Sequence, residues 1–160
     1  MNAMVRIPRA QLEKIYAQAA EEHPAECCGL LTVGPTGGAS RAHPCVNIQD
    51  RLHTENPQEY PREARIAYFI DPKQLLTIIT EAERAGGAVS GFYHSHIDCD
   101  AYFSDEDKER ALTWDEPAYP DAIHLVVSVF EDGVKGHKAF GWNAKVAVFE
   151  EVQVEITDGE

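Results

Sequence analysis

No stretch of this chain nears the roughly 18 consecutive apolar residues that a membrane-spanning helix needs. The opening residues, Met1-Asn2-Ala3-Met4-Val5-Arg6, hold no apolar core of the kind a secretory leader carries. Positive charge is scarce: 14 Lys+Arg face 27 Asp+Glu across 160 residues, a formal charge of −13. That balance argues against a sequence-independent grip on DNA or RNA, which needs clustered cations to neutralise phosphates, and against an anionic membrane as partner. Cysteine is sparse as well. Cys27, Cys28, Cys45 and Cys99 are too few for a disulfide scaffold, and neighbouring cysteines are poorly placed to bond to each other. With no leader and no scaffold, the expectation is a cytoplasmic protein with reduced thiols. Internal repeats and low-complexity segments are missing too. What is present, 44% apolar and 26% charged residues, suits one globular domain spanning residues 1–160.

Leu12, Ile15, Tyr16 and Ala19 recur at helical steps and predict an amphipathic helix over 9–22, ended by His23-Pro24. Residues 27–33 form an apolar run, and Gly34-Pro35-Thr36-Gly37-Gly38 turns it into a second strand over 39–48. The polar stretch 49–63, with Pro57 and Pro61, reads as a long loop of the sort that often carries function. A strand over 66–70 precedes a helix capped by Asp71 with Pro72 at its first position, running to Arg84. Further strands are expected over 88–96, 123–131, 136–142 and 145–156, and a third helix over 104–114. Strands interleaved with helices predict an α/β (α+β) fold, a mixed sheet with helices packed on its faces.

The chemistry concentrates between residues 94 and 107. His94 and His96 stand two apart at the end of an apolar strand, so both imidazoles leave the same face and offer a pair of zinc ligands. Ser104 begins a helix and Asp107 falls in its first turn, where a carboxylate can face back toward the strand end. Two His and one Asp leave a fourth tetrahedral position for water, the pattern of a catalytic zinc. Ser104 has a hydroxyl to offer an oxyanion. A base must come from elsewhere. Each residue also has a plainer reading: two strand histidines satisfied by neighbours, a serine that only caps its helix, an acid that only favours the positive end of the helix dipole.

His94-x-His96, seven residues, Ser104, two residues and Asp107 resemble the motif of the JAMM (MPN-plus) zinc metalloproteases. That family adds a glutamate upstream, and Pro24-Ala25-Glu26-Cys27-Cys28-Gly29-Leu30-Leu31 matches it in position and character. The resemblance covers most of the chain and is strongest to the short stand-alone prokaryotic type. It implies an MPN, cytidine-deaminase-like architecture, one zinc per chain held by His94, His96 and Asp107, Glu26 as general base, and Ser104 supporting the oxyanion. It implies substrates too: a peptide, isopeptide or related amide bond at the Gly-Gly tail of a ubiquitin-like or sulfur-carrier protein. Many members have Pro after the second His, and here it is Ile97.

Two other functions compete. A non-catalytic MPN scaffold would have lost ligands, whereas all five positions are filled here. A zinc hydrolase of another class is the second; the nucleoside deaminase signature requires Pro-Cys-x-x-Cys, which does not occur. Hydrolysis of small or cell-wall peptides is a variant of the leading reading. Cys99, three residues beyond His96, is either an ordinary loop thiol or an occupant of the open zinc position. His23, His43, His53, His124 and His137 are scattered singly and carry no assigned role. Tyr102, Phe103 and Trp114 are expected to pack the motif helix, with lining a groove for an extended tail as the alternative for Tyr102 and Phe103.

Overall fold

The structure, a computed structural model, describes residues 4–113 and 115–158. The chain runs β1 (Arg6–Pro8), α1 (Arg9–Glu22), β2 (Cys28–Gly34), β3 (Gly37–Cys45), α2 (Gln49–Glu55), α3 (Pro72–Arg84), β4 (Ala88–Ile97) and α4 (Asp105–Ala111). A small hairpin of β5 (Leu112–Thr113) and β6 (Glu116–Pro117) follows, then β7 (Ile123–Phe130), β8 (Gly133–Asn143), β9 (Val148–Val152) and β10 (Glu155–Thr157). Eight strands form one mixed sheet in the order β10-β1-β3-β2-β4-β7-β8-β9. Its two edge strands, β9 and β10, are joined by only Gln153 and Val154. A link that short reaches about 10 Å, so the sheet must curl until its edges nearly meet.

Helix α1 fills the curl. Leu12, Ile15 and Ala19 pack with Ile7, Leu31, Tyr93, Leu125 and Val127, all buried. Helix α3 lies on the other face, where Leu75, Ile78 and Ile79 cover Leu30, Phe92 and Cys28. Gly29 sits opposite Tyr93 on β4, and a Cβ there would fall 2.3 Å from the tyrosine ring. Only glycine admits that ring, whose hydroxyl donates to Gln18 of α1 at 2.5 Å.

Several elements depart from the sequence expectation. Residues 49–63 are not all loop, because Gln49–Glu55 forms α2. No apolar stripe announces it; tertiary hydrogen bonds hold it, with buried Gln49 donating to the Arg62 carbonyl and Asp50 accepting from the Ala64 amide. Residues 66–70 are not a strand. Ile66 is exposed, and the segment makes a single bridge, Asn47 to Ile70, while the Asn47 side chain bonds the Phe69 amide and the Ala67 carbonyl. The motif helix ends at Ala111, short of the expected residue 114; Trp114 lies outside the described residues. The alternating stretch 145–156 is two strands on opposite edges of the sheet. Strand β1 carries too little sequence to be read in advance.

Candidate metal centre

His94 and His96 end the central strand β4, which runs antiparallel to β2 and parallel to β7. Ser95 points to the opposite face and anchors the strand: its Oγ accepts from the Cys27 amide at 2.7 Å, and its own amide donates to the Cys27 carbonyl at 3.1 Å. That pair of bonds also fixes Glu26, one residue earlier. The Glu26 amide donates to the Ala64 carbonyl at 2.7 Å, and its carbonyl accepts from Asn47 Nδ2 at 2.8 Å.

Helix α4 delivers the third group. Ser104 and Asp107 form a reciprocal capping box: Ser104 Oγ accepts from the Asp107 amide, and Asp107 Oδ2 accepts from the Ser104 amide, both at 3.1 Å. The same Oδ2 lies 3.1 Å from His94 Nε2 and 3.2 Å from His96 Nε2. All three side chains are buried, and their donor atoms lie within 4.8 Å of one another. Donors placed tetrahedrally around zinc at about 2.0–2.1 Å stand roughly 3.3 Å apart, so this set fits the ion with little adjustment. His96 Nδ1 lies 3.4 Å from the Asp100 carbonyl, which turns Nε2 inward, as outer-shell partners of ligating histidines do.

The electrostatics agree with the geometry. Burial works to raise the Asp107 pKa, but hydrogen bonds from His94 and His96 overcome it and hold the carboxyl below the ordinary carboxylate range. Burial lowers the pKa of His94 despite the opposing pull of Asp107, favouring the neutral imidazole that a metal requires. Glu26 behaves in the opposite way: burial, and then the charge of Asp107, push it up to about 9.

A cavity of about 200 Å³ opens on this centre, lined by Glu26, His96, Ser104 and Asp107 together with Arg62, Tyr102 and others. A family model of prokaryotic homologs of the JAB domain matches residues 8–138. The chain belongs to that family. It is a JAMM-type zinc-metallopeptidase domain, and among curated relatives it is similar to the desampylase of Haloferax volcanii, 33% identical over 69% of this chain and 67% of the relative. It is similar also to the CysO-cysteine peptidase of Mycobacterium tuberculosis, 30% identical over 78% of this chain and 73% of the relative. The curled sheet recurs in a solution structure from Desulfitobacterium hafniense, with TM-score 0.67 and 21% identity over 98% of this chain and 94% of that one. It recurs again in a JAB1/MPN domain protein from Archaeoglobus fulgidus, with TM-score 0.52 and 20% identity over 95% of this chain and 98% of that one.

Beyond the expected residues, two more side chains lie at the JAMM centre. Tyr68 stacks on His94 with ring centroids 4.4 Å apart and planes 21° apart. Arg110, three residues after Asp107, donates to the Tyr68 carbonyl and lies 3.5 Å from Gln49 Oε1, tying α4 to the 46–70 segment. Its spacing on α4 was the available signal; Tyr68, in a stretch without pattern, offered none. Cys99 lines the cavity, but burial raises its pKa, with Glu26 adding to the effect, opposite to the shift of a reactive thiolate. Ile97 continues β4 in register with Val129. Tyr102 is half-exposed and edge-on to His96, at 4.6 Å, while Phe103 is buried against Phe140 and Phe149.

Proposed function

We propose that the chain is a zinc-dependent hydrolase cleaving the amide bond that follows the Gly-Gly-type tail of a ubiquitin-like or sulfur-carrier protein. One observation carries the reading: Glu26 and Ser104, neither of them part of the His-His-Asp cluster, line the same small cavity as His96 and Asp107. Zinc, held by His94, His96 and Asp107, would supply a Lewis acid that acidifies water at neutral pH. Glu26 takes the proton from the attacking water and returns it to the leaving amine. Its buried carboxyl, pushed up to about 9, holds a proton readily for the leaving amine, and a cation held at the triad would lower that value and favour the base form. The Ser104 hydroxyl accepts from the Asp107 amide, so its own proton is free for the developing oxyanion. The substrate class is carried over from the relatives, one named a desampylase and the other for a CysO–cysteine conjugate.

A larger cavity of about 440 Å³ also reaches Asp107, with Tyr68, Phe69, Ile70, Phe92 and Tyr119 in its wall. Its apolar lining suits the residues of a tail that precede the glycines, whereas Arg62 and Arg65 make the smaller cavity more polar. The test is cleavage of a diglycine-tailed carrier conjugate by wild type and by Glu26→Gln, with zinc measured in both. The variant is expected to keep its zinc and lose about 10²–10⁴-fold in rate. Full activity in the variant would overturn the mechanism. Cleavage of small peptides but of no carrier conjugate would overturn the substrate class.

A further inference from the structure

A third cavity, of about 420 Å³, lies between α1, β3 and the start of α3, on a part of the sheet that the metal centre does not use. Lys14, Arg41, His43 and Lys73 line it, and no carboxylate does. We propose that this cavity binds a small phosphate-bearing anion.

The charge is the first reason. In a chain of net charge −13, three of the 14 Lys and Arg converge here from three separate elements. None of the three forms an ion pair among the described residues, whose cation–carboxylate pairs are Arg9–Asp158, Arg62–Glu106 and Lys135–Asp132. Like charges held together without counter-ions repel one another, and an anion between them removes that cost.

The floor of the cavity is the second reason. Strand β1 meets β3 only at Ala39, so residues 41–44 have no strand neighbour on that side. This edge is nevertheless closed to an added strand. The Ala42 amide donates to Gln11 Oε1 at 2.9 Å, the Ala42 carbonyl accepts from Lys14 Nζ at 3.1 Å, and Pro44 has no amide proton to give. An extended peptide would find no ladder to join, so a ligand must be held through charge. Lys14 retains two donor protons beyond its bond to Ala42, Lys73 offers three, and the Arg41 guanidinium presents a planar fork. Several point donors around one centre match the oxygens of a phosphate better than the two of a single carboxylate. The volume lies in the range of small-molecule sites, so a phosphate bearing an organic group fits as well as the bare ion.

His43 provides a local reporter. Its Nε2 lies 2.7 Å from Thr32 Oγ1, and its pKa is lowered by burial first, then by Arg41 and Lys14, with Glu81 of α3 opposing. An anion seated among these groups raises it.

The experiment is an amide and imidazole NMR titration of the zinc-loaded full chain with inorganic phosphate, pyrophosphate and adenosine monophosphate in turn. The expected result is saturable shifts confined to Lys14, residues 41–43 and 73–77, with a rise in the His43 pKa. The double substitution Arg41→Gln, Lys73→Gln is expected to weaken binding by at least about ten-fold without lowering the thermal melt. Preference for the nucleotide over inorganic phosphate would assign the organic group a place in the cavity; the reverse would assign the free ion. Shifts centred on His94 and His96, shifts spread evenly over surface lysines, or unchanged affinity in the double variant would each overturn the proposal.

Discussion

Strands β4 and β7 lie side by side in parallel register, and each buries histidine in a different way. His94 and His96 at the end of β4 converge on one carboxylate oxygen of Asp107. His124, near the start of β7 and opposite Phe92, meets only rings among its aromatic neighbours: it stacks on Phe92 at 5.7 Å, tilts against Phe103 at 5.0 Å and meets Phe149 edge-on at 5.5 Å. Burial drives the His124 pKa down to about 4, so at neutral pH it is an uncharged member of an aromatic cluster. A buried histidine is therefore not by itself a ligand. What separates the two regions is the helix N-terminus of α4, whose capping box brings a carboxylate oxygen within hydrogen-bond distance of His94 and His96 of β4.

Removing that carboxylate should have the largest effect. Asp107→Ala is expected to lower zinc affinity by at least about 100-fold and abolish turnover, read by competition with a fluorescent chelator. Substituting His124 should do neither. His124→Phe is expected to keep zinc and activity while flattening the acid sensitivity of stability. A histidine with a depressed folded-state pKa costs stability as pH falls from its ordinary value of 6.5 toward about 4, so the wild type should lose about 1–3 kcal/mol over that window and the variant less. Denaturant melts at pH 7 and pH 4.5 measure the difference.

Glu26 supplies the complementary sign. Its folded-state pKa is raised from 4.5 to about 9, so its neutral form is favoured by folding and its stability contribution is lost as pH climbs through that interval. In chelator-treated protein at pH 8, Glu26→Gln is expected to raise stability by at least about 1 kcal/mol, or roughly 2–4 °C, by calorimetry. The smallest effect is expected for Cys99→Ala, with zinc affinity and turnover unchanged. A clear change in either would give the thiol a place at the zinc.

The line between legible and illegible residues follows the same contrast. Strand alternation and helix capping are local rules that single out His94, His96, Ser104 and Asp107, and the structure gathers His94, His96 and Asp107 in one cluster. Glu26 was singled out only by likeness to a family; its environment depends on Ala64 and Asn47, far along the chain. Helix α1 and helix α3, with their apolar stripes and stop signals, were found to within a residue. Helix α2 was not, because side-chain bonds to Arg62 and Ala64 hold it rather than any periodic pattern. Tyr68 stayed hidden for that reason as well. The break in residues 145–156 was invisible because one alternating pattern serves two strands at opposite edges of a curled sheet.

Zinc stoichiometry across the contrasted histidines tests the central claim most directly. Elemental analysis of wild type, His96→Ala, Asp107→Ala and His124→Phe, each purified with equimolar zinc and desalted, should find one zinc per chain in the first and last and almost none in the middle two. Zinc retained by Asp107→Ala, or lost from His124→Phe while the protein stays folded, would contradict the account.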